Sequence, residues 1–96
     1  MRRESILQCI SQDKKALKQY DIKSLSLFGS VAREEGKETS DVDLLVAFNH
    51  PPGLFAFMDL KEHLEEILGA HVDLVTEKAL HPRLRNRILK ESIHVF

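Results

Sequence analysis

Three aspartates stand in otherwise apolar segments, where a carboxylate needs a chemical reason to be kept. Asp41 and Asp43 open a run that continues Leu44-Leu45-Val46. Two residues apart on a strand, their side chains point to one face, roughly 6.5 Å apart along the backbone. Asp73 lies in a second apolar run, residues 71–75, and would join the same face if the two strands pair. Charged groups in such surroundings are costly unless cations or donors compensate them.

The chemistry that suits three such carboxylates is metal-assisted phosphoryl transfer. Magnesium prefers oxygen ligands and keeps its remaining positions for water and substrate phosphates. Two ions in sites of this kind lie roughly 3.5–4 Å apart, a separation that Asp41 and Asp43 could serve together. The sequence therefore predicts catalytic, metal-binding roles for Asp41, Asp43 and Asp73.

A phosphate site is predicted at Gly29-Ser30, which follows the apolar segment 25–28. Glycine lets a backbone approach a ligand closely. A helix beginning at Ser30 would direct N–H groups and the positive end of its dipole at phosphates. The Ser30 hydroxyl could donate to a terminal phosphate oxygen, or it could merely cap the helix. Arg33, one turn further on, is equally compatible with a phosphate contact and a surface position. Gly29, Ser30 and Arg33 are thus the predicted nucleotide-binding residues.

Alternating strands and helices must position these groups. Hydrophobic periodicity predicts strands at 22–28, 42–48 and 72–75, with an edge strand at 93–96. It predicts helices at 3–20, at 54–68 and at 82–91, with a helical turn from Ser30 to 34 and a polar loop over 35–40. Phe55, Phe57 and Met58 are expected in the core. This order predicts an α/β fold, in which a small mixed β-sheet of three to four strands packs against helices.

The motif resembles the signature of the minimal nucleotidyltransferase branch of the polymerase-beta-like nucleotidyltransferase superfamily. That signature is glycine and serine, then ten residues, then two aspartates separated by one residue. Gly29-Ser30 and Asp41-Val42-Asp43 match it. Val72-Asp73-Leu74 is similar to the strand that carries the family's third carboxylate. The resemblance covers about residues 25–76. One departure is Arg33-Glu34-Glu35-Gly36, since many members have glycine directly after the arginine.

The resemblance implies a polymerase-beta-like nucleotidyltransferase core, with residues 1–96 forming a single domain. It implies transfer of AMP from ATP, with Asp41 and Asp43 holding two magnesium ions and Asp73 helping to activate the acceptor hydroxyl; manganese is the alternative ion. Small stand-alone proteins similar to this one are typically antitoxins paired with HEPN (higher eukaryotes and prokaryotes nucleotide-binding) ribonuclease toxins. The implied acceptor is therefore a tyrosine of such a partner protein. The implied assembly is a hetero-oligomer with that partner, and a homo-oligomer of this chain is the alternative.

Composition excludes several other classes of function. A chain of 96 residues has room for one core. Its 14 basic and 15 acidic residues give a net charge of -1, which disfavours free nucleic acid as a partner. Cys9 is the only cysteine, so an internal disulfide and a thiolate zinc site are excluded. No apolar run approaches the roughly 20 residues that span a bilayer, and the charged N-terminus does not look like a signal peptide; we expect a cytoplasmic protein.

Simpler explanations exist for each feature taken alone. Glycine-serine is common in turns, and an aspartate in a strand can simply accept hydrogen bonds from a neighbouring turn; the joint occurrence at this spacing favours catalysis. Two other functions stay open. One is a binding module that masks a partner by contact, with a degenerate or nucleotide-sensing site. The other is an enzyme that modifies a small molecule at a homodimer interface. The histidines and the basic residues Arg83, Arg85 and Arg87 have no assigned role.

Overall fold

A computed structural model describes residues 2–35 and 41–96, which form one four-stranded sheet and five helices. The strands are β1 (Ile22–Phe28), β2 (Val42–Phe48), β3 (Val72–Thr76) and β4 (Ile93–His94). The helices are α1 (Arg3–Gln12), α2 (Lys14–Leu17), α3 (Gly29–Ala32), α4 (Leu54–Leu68) and α5 (Pro82–Glu91), with short 3-10 turns at Lys18–Tyr20 and Glu77–Ala79.

The sheet is mixed, and its strand order is β3-β2-β1-β4. β1 pairs antiparallel with both β2 and β4, whereas β2 pairs parallel with β3. A parallel pair needs a long crossover connection, and α4 provides it. The predicted α/β fold with a small mixed sheet is therefore confirmed.

The hydrophobic core lies between one face of the sheet and the helices α1 and α4. Alternate residues of each strand point to that face, because side chains alternate along a strand. The opposite face consequently carries Asp43, which lies between buried Val42 and Leu44, and Asp73, which lies between buried Val72 and Leu74. The fully buried side chains of the helices and of β1 are Ile6, Ile10, Leu17, Leu25, Leu27, Val31, Leu60 and Leu64.

The first predicted helix, at 3–20, is interrupted at Asp13. This residue has φ -96 and ψ 9, and its N–H donates to the carbonyl of Ile10 in a tighter turn. Its carboxylate contacts the His63 ring of α4. Aspartate is a poor helix former because its side chain finds other partners, and here the partner lies on a neighbouring helix. Periodicity alone did not predict this long-range contact.

Smaller differences affect two other elements. α3 begins at Gly29, one residue before the predicted start at Ser30. β4 has two residues instead of four, although the N–H groups of Val95 and Phe96 both donate to the carbonyl of Leu25. Of the predicted loop at 35–40, only Glu35 is among the described residues.

The start of α4 departs from the prediction that Phe55, Phe57 and Met58 are core residues. Phe57 does pack against Phe48 of β2, with ring centroids 6.4 Å apart. Phe55 is 82% exposed and Met58 48% exposed, which makes that prediction wrong for both. The buried stripe of the helix runs through Leu60, Leu64 and Leu68, and Phe55 and Met58 lie to the side of it. Among the helices described within 2–35 and 41–96, none has the length and apolarity to cross a membrane.

Candidate active site

Two of the three predicted carboxylates lie side by side at the centre of the candidate site. Asp43 of β2 and Asp73 of β3 are direct partners in the parallel register. Their side chains are close enough for Asp73 to raise the pKa of Asp43. Asp43 is half-buried, whereas Asp73 is exposed. The second and third strands do pair, which was the condition for Asp73 to join the site, and this pairing brings the two aspartates together.

Gly29 packs directly against Asp43. β1 pairs with β2 so that Phe28 lies opposite Asp43, and the chain turns into α3 at the next residue. Gly29 has φ +77, a left-handed conformation that other residues rarely adopt. A Cβ built on it would overlap Oδ2 of Asp43 and lie 2.9 Å from Cγ. The structure therefore explains glycine at this position by the space that the carboxylate occupies, in addition to any bound phosphate.

The setting of Asp43 makes its charge costly. Burial, followed by the neighbouring carboxylates of Asp73 and Asp41, raises its pKa from an ordinary 3.8 to about 6; the charge of Arg33 acts in the opposite direction. Burial and like charges both disfavour an ionised carboxyl group. A carboxylate perturbed in this way near the start of an inner strand is typical of a functional site.

Asp41 stands slightly apart from the pair. It lies one residue before β2, on the exposed side, and its Oδ1 is 3.3 Å from Nδ1 of His71. The other ring nitrogen of His71 lies 3.9 Å from Oε2 of Glu65, and that oxygen also accepts from the N–H of Val72 at 3.0 Å. Asp41 is nevertheless near enough for its charge to raise the pKa of Asp43.

The donor chemistry fits a hard divalent cation. Asp41, Asp43 and Asp73 offer oxygen atoms only, which is the set that magnesium and manganese prefer. Within 2–35 and 41–96, no three acidic, histidine or cysteine side chains are grouped closely enough to hold an ion. The Asp41 carboxylate, which faces His71, is the one that would have to turn towards the other two. Asp43 and Asp73 are already adjacent on neighbouring strands.

Ser30 and Arg33 occupy α3, immediately after Gly29. Ser30 is half-buried, and α3 has no side-chain cap, so the capping alternative for its hydroxyl is wrong. Arg33 follows the helix and is held by two glutamates: its Nε donates to Glu35 at 2.9 Å and its Nη1 to Glu91 at 3.0 Å. Arg33 is therefore held by two carboxylates, and it is near enough to the site for its charge to act on Asp43.

Two residues at the site were not among the predicted ones. His71 contacts Asp41, and Glu91 of α5 contacts Arg33 although it lies 58 positions away in the chain. Local sequence patterns do not reveal either contact. A weak signal for His71 was its position as the first residue of the segment 71–75, which contains Asp73. The sequence around Glu91 gave no comparable signal.

The fold and the paired carboxylates of Asp43 and Asp73 together define an α/β nucleotidyltransferase core. The family model described as “Nucleotidyltransferase domain” matches residues 10–95. The chain therefore belongs to the nucleotidyltransferase domain family and is a nucleotidyltransferase, as the motif predicted. Members of this family generally use divalent metal ions.

Relatives with more specific names align with most of this chain. A Methanocaldococcus jannaschii protein named as a candidate protein adenylyltransferase is 47% identical over 79 residues, covering 82% of this chain and 85% of the relative. The protein adenylyltransferase MntA of Thermococcus cleftensis is 39% identical over 93 residues, covering 96% of this chain and 94% of its own length. Both alignments span most of each protein, so the similarity extends beyond the motif to the whole fold.

Solved structures share the fold. One described as a candidate minimal nucleotidyltransferase has a TM-score of 0.81 and 41% identity, covering 97% of this chain and 95% of that one. An antitoxin of the same class, solved with the tri-AMPylated HEPN toxin of Shewanella oneidensis, has a TM-score of 0.68 at 19% identity, covering 98% of this chain and 71% of that one. The second similarity concerns the fold alone. The predicted resemblance to minimal nucleotidyltransferases is confirmed.

Proposed function

We propose that this chain transfers AMP from ATP to a hydroxyl group of a partner protein, and that the acceptor is a tyrosine of a HEPN-type ribonuclease toxin. Modification would silence the toxin, so the chain would act as its antitoxin. The proposal extends the nucleotidyltransferase class by naming a donor, an acceptor and a partner.

The observation that carries the chemistry is the register of Asp43 against Asp73, with Gly29 packed on Asp43. This arrangement places two carboxylates side by side on the face of the sheet opposite the core, beside a serine-containing turn. The observation that supports a protein acceptor is the name shared by relatives that align with nearly the whole chain, two of which are 47% and 39% identical. The support for a HEPN partner is the complex formed by the Shewanella protein of the same fold.

Each residue has a distinct role in the proposed reaction. Ser30 and Arg33 bind the triphosphate and orient its α-phosphorus, while Asp41 and Asp43 would hold two magnesium ions. When bound, such ions neutralise phosphate charge, favour deprotonation of the acceptor hydroxyl and stabilise departing pyrophosphate. Asp73 is the exposed member of the carboxylate pair, so an acceptor hydroxyl arriving from solvent meets it first and can pass its proton in that direction.

The bonds balance simply. The acceptor oxygen forms a bond to the α-phosphorus of ATP, and the bond between that phosphorus and the bridging oxygen of pyrophosphate breaks. The acceptor proton leaves through Asp73 to solvent, and pyrophosphate carries away the electron pair. Asp43 is half-buried and packs against Gly29. Its proposed role is therefore to bind metal ions rather than to contact the acceptor hydroxyl.

The test is incubation of the chain with its candidate toxin, ATP and magnesium, followed by intact-mass measurement of both proteins. We expect the toxin to gain one or more adenylyl groups and peptide mapping to find them on tyrosine. Suppression of the toxin without a mass change would favour the binding module. Pyrophosphate release with no modification of either protein would favour a small-molecule acceptor.

A further inference from the structure

Glu91, the last residue of α5, joins two arginines at the edge of the candidate site. Its Oε1 accepts from Nε of Arg87, one turn earlier on the same helix, and its Oε2 accepts from Nη1 of Arg33, both at 3.0 Å. Only 25% of the Glu91 side chain is exposed, compared with 67% of Arg87. Arg87 therefore fixes one carboxylate oxygen, and the other is presented to Arg33.

The arginine that Glu91 holds lies next to the turn that contains Gly29. Arg33, Glu91 and Arg87 line a cavity of about 240 Å³ between α3 and α5, and Gly29 also lines it. Gly29 in turn packs directly against Asp43. The two glutamates raise the pKa of Arg33, Glu35 more than Glu91. The guanidinium is thus a positive charge held by two carboxylates beside Gly29.

We infer that Glu91 is a positioning residue for nucleotide binding: it holds Arg33 in the orientation in which the guanidinium meets the β- and γ-phosphates of ATP. This inference rests on the proposed function, because it takes Arg33 as a ligand of the triphosphate. It assigns α5, which contributes none of the motif residues, a part in substrate affinity.

Positioning is favoured over sequestration by the geometry of the guanidinium group. Arginine has five N–H donors in a planar fork, and the contacts with Glu35 and Glu91 engage two of them. These contacts alone therefore do not exhaust its capacity to bind phosphate. An unrestrained side chain of this length would lose about 0.5–1.5 kcal/mol of rotational freedom when a ligand immobilises it, and prior ordering avoids that loss.

Calorimetric titration of the whole chain with two probes tests the inference. The probes are the magnesium complex of a non-hydrolysable ATP analogue, and AMP, which lacks the β- and γ-phosphates. Glu91→Gln should weaken binding of the analogue roughly three- to tenfold, the equivalent of the ordering cost above, and leave AMP binding unchanged. Glu91→Asp should behave similarly, since a shorter side chain cannot span both arginines, and it serves as the second variant if Glu91→Gln is unstable.

Glu77→Gln is the matched control. Glu77 also pairs with an arginine of α5, Arg85, but does not contact Arg33, so analogue binding should be unchanged. In an Arg33→Ala background, Glu91→Gln should have no further effect, because its influence passes through Arg33.

Three outcomes would overturn the inference. Tighter binding by Glu91→Gln would make Glu91 a competitor of the nucleotide. Unchanged binding by Glu91→Gln, with weakened binding by Arg33→Ala, would refute the positioning role alone. Failure of the wild-type chain to bind the analogue would refute the proposed function together with this inference.

Discussion

Asp43→Asn should stabilise the protein in the absence of metal while abolishing its activity. The structure gives Asp43 two unfavourable influences when it is charged, namely burial and the adjacent carboxylates of Asp73 and Asp41. Asparagine has nearly the same shape, so it retains the packing against Gly29 and can donate a hydrogen bond to Asp73. It carries no charge, so both penalties disappear.

The magnitude follows from the pKa of Asp43, which is raised from 3.8 to about 6. The folded state therefore holds a proton that the unfolded state has released at intermediate pH. By linkage, the free energy of unfolding falls as pH rises from about 4 to about 6 and stays reduced above that window. Two pKa units correspond to about 3 kcal/mol. Because Asp43 is partly exposed and solvent screens its charge, we expect a gain of about 1–2 kcal/mol for Asp43→Asn at pH 8.

Thermal and urea unfolding in the presence of a chelator, between pH 4 and pH 8, would measure this effect. The expected gain at pH 8 corresponds to a rise in Tm on the order of 5–10 °C for a domain of this size. At pH 4 the gain should nearly vanish, since Asp43 of the wild type is then protonated. Asp59→Asn, on the exposed side of α4, should change neither value. A variant less stable than wild type at pH 8, or an equal gain at both pH values, would refute the explanation.

The remaining predictions concern the turn after β1 and the ligands. Gly29→Ala should lower the free energy of unfolding by about 1–3 kcal/mol, because φ +77 is strained for alanine and its Cβ overlaps the Asp43 carboxylate; urea unfolding measures the loss, and a smaller change would contradict it. Ser30→Ala should reduce kcat/KM for ATP with little change in stability, since the hydroxyl does not cap α3; unchanged kinetics would remove Ser30 from the site. Magnesium and ATP together should stabilise the chain by roughly 2.7 kcal/mol at a hundredfold excess over Kd, and either alone by much less; additive shifts would count against a joint site.

The sequence predicted most of the fold because local patterns determine it. Alternation predicted β1, and the continuous apolar run 44–48 predicted β2. The helical stripe that includes Leu64 and Leu68 and ends at Gly69 predicted α4. The adjacency of Asp43 and Asp73 could also be predicted, because it requires only that two apolar strands pair side by side in the right register. These features depend on residues close together in the chain or on simple strand order.

Contacts between distant side chains could not be predicted in the same way. The contact of Asp13 with His63 breaks the first helix, and that of Glu91 with Arg33 joins α5 to the site. Both pairs lie 50 or more positions apart, and neither residue pattern is distinctive in isolation. The lack of space for a Cβ at position 29, next to Asp43, likewise follows from the register of β1 and β2. The spacing of the motif does not specify that register.

The most direct test of the proposed site is ATP-dependent release of pyrophosphate by the chain with its candidate partner. Wild type would be compared with Asp41→Asn, Asp43→Asn and Asp73→Asn, and with Asp59→Asn as the control. We expect each site variant to lose at least about a hundredfold in rate, as when a group that stabilises the transition state is removed, and the control to retain full activity. Substantial pyrophosphate release by Asp43→Asn or Asp73→Asn, with the fold verified by thermal unfolding, would contradict the assignment of the active site to these carboxylates.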